Sequence, residues 1–311
     1  MAIITRYVNT ASVGGDGTTN NTTGATAAYA TLSAWNSTEA VNLVAAGDSH
    51  VVNCEGVAAD ASSVTISATW TTGVSNTLTI NGNLTTANWN TSEYRLSAGA
   101  YPLIVNILNV YINNMQAENG VDDNNIGAIQ VAAGADLTCN KCIFRIKPQT
   151  YTFGNNAYVV DCGTDRSVDL KISNTLVYGA DTVGSKTNTT GIRVNNHTAG
   201  STFLHNVTVA DCVTNVKDNF SAVTAKNVLS TGGTTADFSG PFNVNSKNNA
   251  SSDATAVGTN SRINQTFTFV DSANGDFTLA ATDAGARNFG ADLSVDADLA
   301  VSDDIIGTAR P

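Results

Sequence analysis

Short runs of alternating apolar and polar residues dominate the chain from about residue 64 onward. Each run has three to six residues rich in Val, Ile, Leu and Thr and is bounded by Gly, Asn or Asp, a pattern typical of short β-strands. The predicted strands are residues 64–66, 77–80, 103–107, 128–131, 158–160 and 191–194. Few Asn-Gly turns separate them, so a meander of antiparallel hairpins is disfavoured.

The main helix signal lies in the first fifty residues. Ser33 is predicted to cap a helix over residues 34–45, because a Ser side chain can accept a hydrogen bond from the first turn. Gly47 is predicted to end this helix. The side chains predicted to form its buried face are Trp35, Val41, Leu43 and Val44.

An asparagine recurs inside short apolar segments along the middle of the chain. The residues are Asn114, Asn140, Asn174, Asn206 and Asn227, which lie 26, 34, 32 and 21 residues apart. A second family of predicted strands recurs at similar intervals, at residues 128–131, 158–160, 191–194 and 215–216. Two families of elements that advance together in this way indicate a repeat architecture.

A parallel β-solenoid accounts for this pattern. Each coil stacks on the previous one at a spacing of about 4.8 Å, and a single coil cannot bury its own inner face, so several must stack. Inward residues of successive coils then form apolar rows, and stacked Asn amides hydrogen-bond along the stack. A β-sandwich in which Asn only marks turns remains the alternative.

Motifs at both ends of the chain point to a known class of fold. The opening combines Tyr7 and Val8 with a Gly-Gly-Asp-Gly turn at residues 14–17 and an Ala-Tyr-x-x-Leu segment that ends at Leu32. Residues 269–279 and the Asp-rich turn at residues 303–311 follow near the other end. These motifs resemble the two ends of right-handed parallel β-helix proteins of the tailed-bacteriophage virion type, which include decoration proteins and tailspikes. One departure is residues 280–285, where the family has a Pro-containing stretch with a buried Asp.

The resemblance implies an all-β chain organised as a right-handed parallel β-helix (solenoid). We expect a short N-terminal cap that contains a helix at residues 1–63 and the parallel β-helix at residues 64–250. An irregular C-terminal cap with an acidic docking segment is expected at residues 251–311.

Composition narrows the range of partners. Only 13% of the residues are charged, and 15 Lys and Arg stand against 26 Asp and Glu, which gives a net charge of -11. Because nucleic-acid binding needs basic stripes, no nucleic-acid partner is expected. No apolar run approaches the length of a membrane span, so no membrane partner is expected either. The first residues lack the pattern of a secretory signal, from which we expect folding in the host cytoplasm.

The five cysteines do not form a disulfide pattern, because their number is odd and their positions are scattered. They are Cys54, Cys139, Cys142, Cys162 and Cys212. Cys139-x-x-Cys142 is the strongest metal or redox candidate. Residues three apart on a strand point to opposite faces, and no further ligand pair with zinc spacing is present. We therefore expect free, buried, structural thiols.

Histidines and carboxylates are the remaining candidates for chemistry. We expect structural roles for His50, His197 and His205, with His205 on an outward, solvated face. Glycoside cleavage needs two carboxylates, roughly 5–9.5 Å apart. The candidates are Asp161, Asp165 and Asp169 within one coil, Asp211 in a similar Asp-Cys segment, and Asp122 with Asp123 in a loop. Repeated Asp-Cys at a strand end favours a turn in which Asp caps backbone amides.

The last 41 residues are acidic, with eight Asp against two Arg. Such a segment can dock on a basic partner, and a solvated cap is the alternative. The aromatic residues predicted to pack this cap onto the solenoid are Phe267, Phe269, Phe277 and Phe289.

Taken together, the sequence predicts a structural virion protein, most specifically a capsid decoration (cement) protein. It would act as a homo-oligomer, a trimer, and contact the major capsid protein or other virion proteins. We expect no enzyme activity, catalytic residues, metal or cofactor. One alternative is a tail fibre or tailspike that binds or depolymerises host surface polysaccharide. A bacterial surface adhesin is the second alternative, and the missing export signal disfavours it.

Overall fold

Short strands make up most of the secondary structure in the computed structural model, which describes residues 1–121, 125–132, 134–147, 157–162, 169–179, 189–195 and 201–309. In chain order they are β1 (Ile3–Asn9), β2 (Ser49–Glu55), β3 (Ala59–Asp60), β4 (Val64–Ile66), β5 (Leu78–Asn81), β6 (Arg95–Ala98), β7 (Leu103–Val105), β8 (Val110–Asn113), β9 (Gln116–Asn119), β10 (Ile129–Val131), β11 (Leu137–Asn140), β12 (Ile143–Arg145), β13 (Ala157–Cys162), β14 (Leu170–Ser173), β15 (Leu176–Tyr178), β16 (Thr189–Val194), β17 (Thr202–His205), β18 (Thr208–Ala210), β19 (Thr214–Asp218), β20 (Val223–Lys226), β21 (Leu229–Thr231), β22 (Ala236–Ser239), β23 (Ala250–Ser251), β24 (Phe269–Asp271) and β25 (Asp276–Leu279).

Among the described residues these strands form three parallel sheets and one antiparallel hairpin, β24 with β25. The first sheet has the order β1-β2-β5-β8-β11-β14-β17-β20, the second β3-β6-β9-β12-β15-β18-β21-β23, and the third β4-β7-β10-β13-β16-β19-β22. The chain visits first, second and third sheet in turn, so each coil stacks on the one before. The predicted all-β parallel solenoid is confirmed, and the sandwich alternative is wrong.

Inward side chains of successive coils stack into apolar rows. In the first sheet one such row is at most 1% exposed and consists of Val52, Ile80, Ile112, Cys139, Ile172, Leu204 and Ala225. Burying each large aliphatic side chain contributes about 1.5–3 kcal/mol relative to leaving it exposed. The second predicted strand family, now β10, β13, β16 and β19, consists of neighbours in the third sheet, as the repeat analysis indicated.

A single left-handed residue turns the chain from the first sheet into the second, at a position we call the first corner. Its members have φ between 47° and 56° and are Asn114, Lys141, Asn174, Asn206, Asn227 and Asn248. Asn accepts this conformation more readily than most residues with a Cβ, which explains why Asn recurs here.

The predicted alignment is wrong at one coil. Asn140 pairs in register with Asn113 and Ser173, one residue before the corner, and Lys141 takes the corner position itself. Lys141 is held there by an ion pair from its Nζ to Asp303 at 2.6 Å. The predicted stacking of Asn amides is confirmed, since Asn81 donates its amide to Asn53 at 3.0 Å and Asn227 donates to Asn206 at 2.9 Å.

The N-terminal helix is split in two. Helix α1 (Leu32–Glu39) begins at Thr31, whose side chain accepts the N–H of Ala34 at 3.1 Å, so the prediction of Ser33 as the cap is wrong. A second short helix, α2 (Leu43–Ala46), ends at left-handed Gly47 as predicted. Helix α1 contacts β4 and buries Trp35 completely.

The break between the helices changes which side chains are buried. Leu43 is 1% exposed, as predicted, but Val41 and Val44 are 44% and 49% exposed, so their predicted burial is wrong. The first sheet also reaches into the predicted N-terminal cap, because β1 and β2 pair with each other and β2 pairs with β5.

The C-terminal part of the chain folds back along the solenoid. Residues 286–309, which we call the strap, run along the first corner. At one end Phe289 of the strap contacts Asn248 of the corner, and at the other end Asp303 of the strap contacts Lys141. Within the strap, Leu293 and Val301 are buried and bridge each other. The strap therefore covers one flank of the coils rather than only their end.

Candidate functional site

Asp161 holds an ion pair on the outer face of the third sheet. Arg193, its register neighbour on β16, donates from Nη2 and Nε to Asp161 Oδ1 at 2.6 and 2.8 Å. The guanidinium of Arg193 lies 3.5 Å from the ring centroid of Tyr158. Tyr101 donates its hydroxyl to Asp161 Oδ2 at 3.3 Å, and burial raises the pKa of Tyr101 well above its usual value. Both oxygens of Asp161 are engaged, and the residue is 3% exposed.

Asp211 lies in a different part of the coil from Asp161. Asp161 belongs to β13 of the third sheet, whereas Asp211 follows β18 of the second sheet and has a φ of 56°. The turn predicted at Asp211 is confirmed, but the turn predicted at Asp161 is wrong, because Asp161 lies within β13 and its carboxylate binds Arg193. The two Asp-Cys segments belong to different sheets. Asp169 accepts the N–H of Ser201 at 3.0 Å. Outside the described residues lie Asp122, Asp123 and Asp165.

His50 is buried in the N-terminal part of the solenoid. Its ring lies 5.2 Å from that of Trp70 and 6.1 Å from that of Trp35, centroid to centroid. Its Nε2 is 3.3 Å from Glu39, which also pairs with Arg6 at 2.7 Å. Burial lowers the pKa of His50, so the ring is neutral at neutral pH. This contact supports the structural role predicted for His50.

His205 lies on the outward side of the first sheet, as predicted, but it is fully buried, so its predicted solvation is wrong. The strap covers it, and its Nδ1 donates to the carbonyl of Leu299 at 2.7 Å. Burial lowers the pKa of His205, although Asp296 lies 4.0 Å from Nδ1. The third histidine, His197, lies outside the described residues.

All five cysteines are buried and none forms a disulfide, as the sequence predicted. Cys139 and Cys142 both point into the core, because the left-handed residue Lys141 turns the chain between them. Burial raises the pKa of Cys142 to about 12 and raises the pKa of Cys139 as well, so both stay protonated. In the described ranges no group of three or more His, Cys, Asp or Glu is placed to hold a metal ion.

Charged contacts attach the strap to the solenoid. Lys226 donates from Nζ to Asp296 at 2.7 Å and to Asp298 at 3.1 Å, and the side chains of Lys226 and Asp296 are only 8% and 9% exposed. Burial opposes ionisation of Asp296, but the bond from Lys226 lowers the pKa of that carboxyl overall. Three of the eight acidic residues, counting Asp303 on Lys141, therefore neutralise lysines of the same chain.

Asparagines of the first corner bind the strap through its backbone. Asn227 accepts the N–H of Ala291 at 2.8 Å and donates to the carbonyl of the same residue at 2.8 Å. Asn248 donates to the carbonyl of Phe289 at 3.2 Å. The corner asparagines thus serve two purposes, since they turn the chain and they hold the strap.

A groove of about 370 Å³ remains between the second sheet and the strap. One wall is formed by outward residues of the second sheet, among them Leu176, Thr208 and Leu229. The hairpin residue Phe277 and the strap residue Ile305 lie on the opposite side. Its volume falls in the lower part of the range of small-molecule sites, about 300–1,000 Å³.

The groove offers hydrogen-bond donors beside apolar surface. Asn206 lines it, and its Oδ1 already accepts from Asn227, while its Nδ2 makes no hydrogen bond within the described residues. Thr208 and exposed Arg287 also line the groove, and Nη1 of Arg287 donates to the carbonyl of Ala281. This arrangement can hold a molecule with acceptor oxygens and an apolar side, but it presents no acid–base pair among the described side chains.

The groove was not predicted, although one signal for it exists. Leu176, Val177 and Tyr178 of β15 are all at most 5% exposed, which means that both faces of this strand are covered. An uninterrupted apolar strand in an otherwise alternating solenoid indicates such a cover. The predicted aromatic packing is confirmed in part, since Phe277 lies 5.4 Å from Tyr178 and 5.3 Å from Phe269.

Comparison of the chain with known proteins identifies no relative. No protein-family model, no curated protein and no solved structure matches it. Within the described part of the chain, none of the helices has the length and apolar character needed to cross a membrane.

Proposed function

We propose that the chain is a structural protein of a tailed-bacteriophage virion, and specifically a capsid decoration protein. It would assemble in the host cytoplasm and cover or stabilise the shell through contacts with the major capsid protein or other virion proteins. The motifs at both ends of the chain, which resemble such proteins, support this proposal.

One observation carries the proposal: buried polar residues, among them the candidates Asp161 and His205, hold the chain's own segments together. Asp161 pairs with Arg193, His205 donates to the strap, and Lys226 neutralises Asp296. A residue that is engaged in this way on a buried contact stiffens the fold and is not free to act on a substrate.

The solenoid supplies a stiff block with extended faces. Eight strands in the first sheet at about 4.8 Å spacing give a stack roughly 34 Å long. A rigid partner loses little conformational entropy on docking, so a block of this kind suits protein–protein contacts on a shell.

Immunogold electron microscopy of particles that carry the chain tests the proposal. We expect label over the capsid lattice, and we expect particles depleted of the chain to lose their genome at a lower temperature than complete particles. Label confined to the tail, or depletion without any change in shell stability, would contradict it.

The groove favours a second candidate function, a tail fibre or tailspike protein that binds host polysaccharide. Incubation with host capsule or lipopolysaccharide tests this candidate, because release of reducing ends or unsaturated sugars would show depolymerisation. A Thr208→Trp variant fills the groove, and Thr65→Trp on the third sheet is the matched control. Polysaccharide binding that only Thr208→Trp abolishes would favour the second candidate over the first.

A further inference from the structure

We propose that the outer face of the first sheet is the surface through which copies of this chain associate with one another. This inference rests on the proposed function, because it names the partner that contacts one face of a protein proposed to act through protein–protein contacts. The face is defined by one outward row in register across seven strands, namely Thr5, Val51, Thr79, Tyr111, Thr138, Lys171 and Phe203.

The seven residues of this row are uncovered, whereas outward residues of the second sheet are not. Next to the row, the strap covers the outward residue His205 of the first sheet, and the row itself ends at buried Thr224 on β20. Each of the seven residues is at least partly exposed, and Tyr111 is 37% exposed. On the second sheet, outward Ile143 and Leu176 are 0% and 4% exposed, because other segments of the chain cover them. On the third sheet the corresponding outward row carries the ion pair of Asp161 with Arg193.

The distribution of charge favours a second copy of the chain as the partner that binds the first-sheet face. The chain has a net charge of -11, so two copies repel each other over most of their surfaces. The seven residues of the face include no carboxylate and one cation, Lys171. The neighbouring row contains amides that bond to one another, such as Asn81 to Asn53 and Asn113 to Asn81. Two copies can therefore meet at this face without bringing carboxylates of the row against each other.

The available area fits a weak contact between copies. The seven strands span six spacings of about 4.8 Å, which gives a length of about 29 Å, and strands of about five residues at roughly 3.3 Å each give a width of about 16 Å. The face therefore offers at most about 460 Å² per copy, and a pair would bury at most about 920 Å², the size of a weak, transient interface.

Exposed apolar side chains extend the face on one side. Val44, Val74 and Leu108 are 49%, 90% and 40% exposed and lie at the corner that leads into the first sheet. The three coils that carry them touch, since the N–H of Val44 bonds to Thr71 and the hydroxyl of Thr72 bonds to the carbonyl of Leu108. Exposed apolar residues on neighbouring coils favour an interaction surface at this edge.

Analytical ultracentrifugation of the full chain tests the inference. We expect the wild type to self-associate at micromolar concentrations, and we expect Tyr111→Glu and, separately, Thr138→Glu to weaken association by about tenfold or more, because each places like charges opposite each other. The control Thr65→Glu makes the same change on the exposed outer face of the third sheet and is expected to leave association unchanged. Added NaCl is expected to strengthen wild-type association, because it screens the repulsion between acidic copies.

Three outcomes would overturn the inference: a monomeric wild type, association that neither Glu variant weakens, or equal weakening by the Thr65→Glu control. Circular dichroism and thermal unfolding check that each variant folds. The result is distinguishable from failure of the proposed function. A monomeric chain that still decorates the shell overturns only this inference, and a self-associating chain that is absent from the capsid overturns only the proposed function.

Discussion

Removal of the Lys226 ammonium is the sharpest perturbation of the strap. In Lys226→Met the carboxylate of Asp296, 9% exposed, loses the cation that lies 2.7 Å away, while most of the lysine's aliphatic volume is kept. Breaking one partner of a buried ion pair costs about 3–5 kcal/mol. Because Asp298, the second carboxylate, is 39% exposed and can rehydrate, we expect the lower end, about 3 kcal/mol.

Hydrogen–deuterium exchange of strap amides measures this effect. A loss of about 3 kcal/mol in the free energy of strap opening raises the exchange rate about 150-fold, at 1.36 kcal/mol per factor of ten. The effect should be confined to the strap and its contacts, while amides of the first sheet keep their protection, because these belong to the parallel stack.

Two other lysines provide graded controls. Lys141→Met removes a single, more exposed pair with Asp303, so we expect about 1 kcal/mol or less. Lys171→Met removes only a contact to the Phe203 ring at 5.9 Å, worth about 0.5–1 kcal/mol at most. If Lys226→Met accelerated strap exchange no more than Lys171→Met, the ion pairs would not be what attaches the strap.

Three further predictions follow from the same contacts. The rate of amide hydrogen exchange in the strap should rise as the pH falls below about 6.5. Burial lowers the pKa of His205 in the folded state, so the stability that depends on the neutral ring is lost when the ring is protonated. His205→Gln should remove this component of the pH dependence, and an unchanged pH profile in that variant would contradict the assignment. In Ellman titration at mildly alkaline pH the native protein should show no reactive thiol, since all five are buried and the pKa of Cys142 is about 12, whereas the unfolded protein should show all five; reaction of the native chain would contradict this. Ile172→Ala should cost about 2–5 kcal/mol in urea unfolding because it opens a cavity in the stack, while outward Thr138→Ala should cost about 0.5 kcal/mol or less; equal losses would mean that the inward and outward rows are misassigned.

The repeating part of the fold was predictable because its signal is local. Short Val and Ile runs fall on the same side of every coil, so the strand family at residues 128–216 was recognised as one stack, and the recurring Asn marked a corner. Asn140 was predicted one residue out of register because Asn occurs at two adjacent positions of the coil. One coil has Asn at both positions, Asn113 and Asn114, whereas the next has Asn140 at the first and Lys141 at the second. Only the φ angle separates the two roles.

The strap and the groove were not predictable in the same way. Lys226 and Asp296 are 70 residues apart, and no periodicity links them. The burial of His205 follows from this long-range contact, so its position on an outward row was misleading. The outward row of His205 was predictable from the repeat, but what covers a coil depends on segments that do not repeat.

A density map of the assembled particle tests the central claim most directly. The account predicts parallel coils seated on the capsid lattice, with the first-sheet faces of neighbouring copies in contact and the strap in place along the first corner. A map in which that face is bare to solvent and a saccharide occupies the groove of a tail-bound chain would contradict it.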